Sequence, residues 1–458
     1  MIDFVEICRR ATMGRLVPET KFDRELFFPK IKELVRKYEI RADLENPVNR
    51  DDGSADAVFN AAVDLLSEVG IYCTDSQRII ELSRDEVLEG VREAPGQCWF
   101  GEDQDRRLYP VRRPDSPDIP SWCHIGGGVT YDTEDIAFKV VEGIARIPWA
   151  DSISMPICAG LRDFPVTAGS PAGLLSCIRA VEITRSALRQ SGRPGMPILN
   201  GIPGAGSAVE TIAASCPGLG MRPSDGWIVG FLSELKVDYG SLNKCAFLLN
   251  IGGRIGSQGA PILGGYCGGP EGTAITNCAY VIAGILVMRG QYQLSFPVDI
   301  NLGCSTTRQV LWSVGISSQA ISRNIAYPFH MLGYCMGGPM TKSYFYETTA
   351  YLLTAIPSGA SAQNGAPARA IVANHMTPLE LEYSAEVIRC AHKVSRAEAN
   401  EIVKRLVPKY EDGLATASPG KSYQECFDLK TGYPSEDYVD FYREIKTEIA
   451  NMGVPFDY

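Results

Sequence analysis

The 458-residue sequence predicts an α/β fold, a (β/α)8 TIM barrel with additional N- and C-terminal helices. Three observations carry this. Charge is unevenly spread: residues 196–376 hold 16 charged side chains in 181 positions, against 82 in the other 277. A stretch so poor in charge is hidden, in a core or at subunit interfaces. Within and just before it, short apolar runs recur without polar alternation, as strands buried on both faces of a parallel sheet do. Segments of helix length separate them, the pattern of βαβ units, and no dinucleotide fingerprint points to a doubly wound sheet instead.

Taken in order, residues 20–95 are charged and helical in pattern, with Phe59, Val63, Leu66 and Val69 at helical spacing. The strand-like runs are MPICAG at 155, PILNGIPG at 197, APILGGYCGG at 260, FPVDINLGC at 296 and YPFHMLGYC at 327. Residues 273–288 and 306–321 have helix length between them. Charge returns after about residue 377, where 385–406 reads as one or two helices and 437–452 as a last one. No low-complexity linker divides the chain. It reads as one domain over 1–458: a helical addition to about 120, the barrel over about 121–376, and a helical part over about 377–458.

Composition narrows the function. A net charge of −10 argues against a nucleic-acid backbone binder. The longest apolar run, 278–288, is too short to cross a bilayer, and MIDFVEICRRATMGR lacks the apolar core of a signal peptide. A cytoplasmic protein is expected. The 14 cysteines form no C-x-x-C pair and read as buried free thiols. Only four histidines are present and no H-E-x-x-H, so no metal site is expected. SPGKS at 418 fails the phosphate-loop spacing and NGIPGAG at 200 lacks the last glycine of G-x-G-x-x-G.

In a barrel, functional groups project from the carboxyl ends of strands. That rule selects Asp163, Asn200, Glu271, Asn301, His330 and Tyr334. Glu271 stands alone as an acid in the glycine-rich GGYCGGPEGT, a loop that also carries Tyr266. It has two readings: a first-turn acid of the next helix, or a carboxylate that holds a cationic or hydrogen-bonding substrate. Asn200 reads equally as a turn residue, and His330 and Tyr334 as a core histidine and a barrel-lining tyrosine.

GIYCTDSQRII at 70, SGRPGMP at 191, LSELKVDY at 232, PILGGYCGGPE at 261 and SPGKSYQECFDLKT at 418 together resemble the monomethylamine methyltransferase family. The resemblance covers most of the chain in the same order. It implies a barrel assembled as a homo-oligomer, hexameric in known members. It implies transfer of a methyl group from a methylated amine to the Co(I) of a separate corrinoid protein. The chain has no D-x-H-x-x-G, by which many corrinoid carriers ligate cobalt, so the cofactor is expected on the partner and none on this chain.

One departure bears on substrate. The family carries pyrrolysine shortly after GRPGM, and this sequence reads GRPGMPILNGIPG. The corresponding place is Leu199 or Asn200, and neither side chain forms an amine adduct. The resemblance therefore implies a pyrrolysine-free enzyme acting on a small N-methylated amine, a quaternary one included. In that reading Glu271 binds the cation, and Leu199, Asn200, Tyr266, Asn301 and Tyr334 contact substrate. His330 gives a proton to the leaving nitrogen. The alternatives are an O- or S-methyl donor, another barrel enzyme, or a non-catalytic binder of methylated amines.

Overall fold

The computed structural model describes residues 2–126, 128, 130–158, 160–161, 164–199, 207–216 and 218–456. Eight parallel segments close on themselves. They are β1 (Cys123–Ile125), β2 (Ser152–Ile153), β3 (residues 197–199), β4 (Gly226–Gly230), β5 (Arg254–Gly259), β6 (Tyr292–Ser295), β7 (Phe329–Met331) and β8 (Ser361–Gln363). Seven form one sheet in the spatial order β4-β5-β6-β7-β8-β1-β2. β3 fills the remaining gap by a few bonds: Ile198 bridges Ile153 in parallel through two backbone hydrogen bonds, and the Gly226 N–H donates to the Ile198 carbonyl at 2.9 Å. The predicted barrel is therefore present.

A helix follows each strand: α1 (Glu134–Ala145), α2 (Pro171–Gln190), α3 (Ala208–Ala214), α4 (Tyr239–Asn250), α5 (Pro270–Val287), α6 (Arg308–Asn324), α7 (Lys342–Ala355) and α8 (Pro378–Ala391). Their starts are written locally. Ser170, Thr307 and Thr341 each accept a first-turn N–H, and Pro171 and Pro270 occupy positions where a helix needs no N–H. α8 packs back on α1 and β1, so the barrel closes past the expected boundary at 376.

The scarcity of charge over 196–376 has its cause within one chain. α5 buries 16 of its 18 residues and α7 buries 12 of 14. The helix Asp52–Val69 covers α5 and α6, and the C-terminal helices Arg396–Leu406 and Glu436–Ala450 cover α7. Helices enclosed on all sides carry apolar residues all round. The first 120 residues are not purely helical, however. Arg15–Leu16, Arg78–Ile80 and Ile71–Cys73 form a small sheet that takes its last strand, Lys236–Val237, from the loop after β4. A second element, the hairpin Cys98–Phe100 with Arg107–Tyr109, closes the amino end of the barrel. Strands of three residues leave too little alternation to be read against a helical background.

Candidate functional site at the barrel mouth

Side chains that alternate inward fill the barrel in layers. At the base, Phe100 and Tyr109 from the hairpin pack with Trp122, Leu199 and Tyr292. The Tyr109 and Trp122 rings stack with centroids 4.9 Å apart. A polar layer lies against this plug. His330 shares a 2.7 Å hydrogen bond through Nδ1 with the Tyr109 hydroxyl. His124 bonds Ser152 Oγ at 2.7 Å and Ser154 Oγ at 2.8 Å. Both imidazoles are fully buried. Burial pushes His330 down to about 3 and His124 well below its usual value, so both are neutral at neutral pH.

Toward the carboxyl ends of the strands the lining turns apolar and then opens. Ile228, Leu294, Leu332 and Ala366 pack together, with Phe296 and Tyr334 against them. The Phe296 and Tyr334 rings stand 5.4 Å apart at 77°, forming an aromatic corner. On β4, Gly226 and Ile228 face inward, and Gly230 follows on the same face. Among the described residues, a Cβ on Gly230 would meet no heavy atom within 4 Å. Among the described residues nothing fills this space at the mouth. Gln258 of β5 pairs in register with Gly230 and is half-buried.

Two buried carboxylates organise the surrounding loops. Glu347 of α7 accepts from Thr306 Oγ1 at 2.6 Å, the Met336 N–H at 2.8 Å, the Gly337 N–H at 2.9 Å and Ser343 Oγ at 2.7 Å. It thereby ties the loop after β6 to the loop after β7. Glu234, in the loop after β4, accepts the Ile262 N–H at 3.1 Å and lies beside the Cys267 thiol. Burial pushes the Glu234 carboxyl up to about 7, against the thiol, the Ile262 N–H and the Lys236 ammonium.

That shift sets a pH dependence. The folded state holds the Glu234 proton to about pH 7, whereas an unfolded glutamate releases it near 4.5. Its stabilising contribution is complete below about pH 4.5 and is lost as pH rises to 7, a change of up to about 3 kcal/mol. Glu234→Gln is therefore expected to gain stability over the wild type at pH 8 and little at pH 5, read by urea unfolding at both. An equal effect at the two pH values would remove Glu234 as the cause.

The expected site residues distribute unevenly. Tyr334 lines the mouth. Leu199 faces the interior but sits in the basal plug. Tyr266, 37% exposed, and Asn301, exposed, lie on the rim in the loops after β5 and β6. His330 lies beneath the mouth, and as a neutral imidazole it has no imidazolium proton to give. Glu271 is in the first turn of α5, and its Oε1 accepts the Ala42 N–H at 3.0 Å. This is the first-turn reading, and the bond also anchors the N-terminal addition. Asp163 and Asn200 lie outside the described residues. Sequence reasoning missed Gln258, Phe296, Glu234 and Glu347. A strict reading of strand ends selects Gln258 and Phe296, whereas Glu347 is mid-helix and carries no local signal. Among the described residues, no group of three or more His, Cys, Asp or Glu is placed to hold a metal ion. None of the described helices is long and apolar enough to cross a membrane.

A family model described as "Monomethylamine methyltransferase MtmB" matches residues 2–454. The chain belongs to the monomethylamine methyltransferase MtmB family. Methyl transfer is thus its reaction class. It is 29% identical over 457 residues to the monomethylamine methyltransferase MtmB1 of Methanosarcina barkeri, covering 99% of this chain and 98% of that one. It is 29% identical to MtmB of Methanosarcina mazei over 461 residues, with the same coverage. The crystal structure of the Methanosarcina barkeri enzyme superposes with a TM-score of 0.95 at 28% identity, covering 99% of both chains. A crystal structure of a hydroxylamine complex of MtmB matches equally well.

Proposed function

We propose that this chain moves a methyl group from a small N-methylated amine to the Co(I) of a cognate corrinoid protein, without pyrrolysine. The observation that carries the reading is membership of the MtmB family over nearly the whole chain, with Leu199 and Asn200 standing after GRPGMPI. The cobalt lone pair forms the Co–C bond, and the C–N electron pair leaves on nitrogen. The acceptor becomes methyl-Co(III). An unprotonated amine would have to leave as an amide anion, a very poor leaving group, so the donor nitrogen must be protonated or quaternary. A quaternary donor asks least of this site, because the amine departs neutral and needs no acid.

The mouth suits such a donor. The aromatic corner of Phe296 and Tyr334 offers π faces to a methylated cation, a task expected of Glu271 from sequence. The space at Gly230, unfilled among the described residues, leaves the methyl carbon approachable from the rim, where Tyr266 and Asn301 meet the incoming partner. The apolar floor excludes water and fixes the donor's orientation. The same family resemblance supports a homo-oligomer, hexameric as in its known members.

The test mixes the purified protein with its Co(I)-reduced corrinoid protein and a panel of methylamines, quaternary amines, methoxy compounds and methylthio compounds. Absorbance reports methyl-Co(III). Turnover of N-methylated donors is expected. Turnover confined to O- or S-methyl donors, or none with corrinoid protein verified active by another enzyme, would overturn the reading.

A further inference from the structure

We propose that the mouth selects a donor carrying a carboxylate as well as a methylated ammonium, with the cation in the Phe296–Tyr334 corner and the carboxylate on Arg369. The inference rests on the function proposed above and narrows its substrate class.

Arg369 sits in the loop after β8, beside the loop after β7 that carries Tyr334. Its N–H donates to the Cys335 carbonyl at 2.8 Å, and its guanidinium reaches across to the loop after β6. There Nη1 donates to the Leu302 carbonyl at 3.2 Å. Its chain neighbour Ala370 packs with the cluster that includes Phe296 and Tyr334. The loop thus borders the corner through Ala370, and the guanidinium is anchored on the neighbouring loop after β6.

The charge of Arg369 is not neutralised by a carboxylate among the described residues, as that of most cations in this stretch of sequence is. Residues 196–376 contain nine cations, and five of them form ion pairs: Arg222, Lys236, Arg308, Arg323 and Lys342. Arg369 has no carboxylate partner among the described residues. One carbonyl uses one of its five N–H donors, leaving a planar fork suited to a carboxylate. At the mouth, the Tyr334 hydroxyl and the Gln258 amide also have no side-chain hydrogen bond among the described residues.

The backbone holds this arrangement at a cost. Ala368, Arg369 and Ala370 have φ of 45°, 56° and 56°, three successive non-glycine residues in the left-handed region. Such conformations persist where the surroundings over-determine them, and they cluster at ligand sites. Here the Ala368 and Arg369 N–H groups are fixed by the Gly337 and Cys335 carbonyls of the loop after β7.

A bare methylated cation gains from the aromatic faces but is repelled by Arg369. A zwitterion turns that repulsion into a second contact and fixes which end of the molecule faces the rim. An acidic side chain of the corrinoid protein is the competing occupant of Arg369.

The experiment separates these. Isothermal titration calorimetry on the full chain alone compares matched pairs: trimethylglycine with tetramethylammonium, and N-methylglycine with methylamine. The carboxylated member of each pair is expected to bind at least tenfold tighter. Arg369→Ala should collapse that gap, and Arg369→Lys should keep part of it. Equal affinities in the wild type, no binding by any probe, or a gap that survives Arg369→Ala would overturn the proposal. The wild-type comparison holds even if a variant misfolds. In the transfer assay, Arg369→Ala should raise KM for the carboxylated donor. A rise confined to KM for the corrinoid protein would assign the arginine to the partner and overturn it. A carboxylate preference without methyl-cobalt formation would sink the transfer reading alone. Methyl transfer from amines without that preference would sink this one alone.

Discussion

Asp225→Ala is expected to destabilise the protein by about 3–5 kcal/mol, the range for breaking a buried ion pair from one side. Asp225 and Arg185 of α2 are 1% and 4% exposed and pair directly. Arg185 also donates to the Gly220 carbonyl at 2.7 Å and the Met196 carbonyl at 3.1 Å. Asp225 accepts from the Ile198 N–H at 2.9 Å and the Arg222 N–H at 2.7 Å. Together these bonds fix both flanks of β3, which among the described residues has only two backbone bonds to β2 and one to β4. Alanine leaves a buried guanidinium with carbonyl partners only and frees the Ile198 N–H. Chemical denaturation measures the loss. Because β3 leads directly into Leu199 and Asn200, kcat/KM should fall further than the unfolded fraction explains. The double variant Arg185→Met, Asp225→Leu should recover most of the stability, since it removes the charge rather than orphaning it. A loss under 1 kcal/mol for Asp225→Ala would show that β3 is held by packing alone.

β3 also shows where the sequence is hard to read. PILNG signals an apolar run, but over its described residues 197–199 only Ile198 is bridged, and its N–H is held by a side chain 27 positions later. The long buried elements are legible for a simple reason. α5, α6 and α7 are enclosed along most of their length, so between their terminal turns they carry a single charge, Glu347, and stand out from the flanks. The same rule makes the cause ambiguous, because scarcity of charge does not tell a covering helix from a covering subunit. The helix Asp52–Val69 and the C-terminal helices provide the cover here.

Function is less legible than fold because partners are remote. Glu271 looks like a lone acid in a glycine loop until Ala42, 229 positions away, proves to donate to it. His330 looks titratable until burial beside Tyr109 and Tyr292 makes it neutral. Strand-end reasoning reached Tyr334 because position alone places it. It could not reach Glu347, whose importance comes from four donors on three separate segments.

Glu347→Ala is the second large effect expected: a loss of about 3 kcal/mol in stability and about a hundredfold in kcat/KM. The substitution leaves the Met336 and Gly337 N–H groups and the Thr306 and Ser343 hydroxyls without their acceptor. A buried donor left unsatisfied costs about 1–3 kcal/mol, and water entering the vacated space offsets part of the total. The catalytic loss follows from placement. The loops that Glu347 joins carry Phe296, Asn301 and Tyr334, and a shift of about 1 Å in a reacting geometry is worth about a hundredfold. Glu347→Gln discriminates between volume and hydrogen bonding. It fills the same space but turns an NH2 toward two of the four donors, so its stability should lie nearer to alanine than to wild type. Thermal unfolding and methyl-transfer kinetics read the two effects separately. If Gln matches wild type in both, the carboxylate only fills space. If Gln loses kcat/KM while donor KM and stability hold, the residue acts on the chemistry itself rather than through the loops it ties.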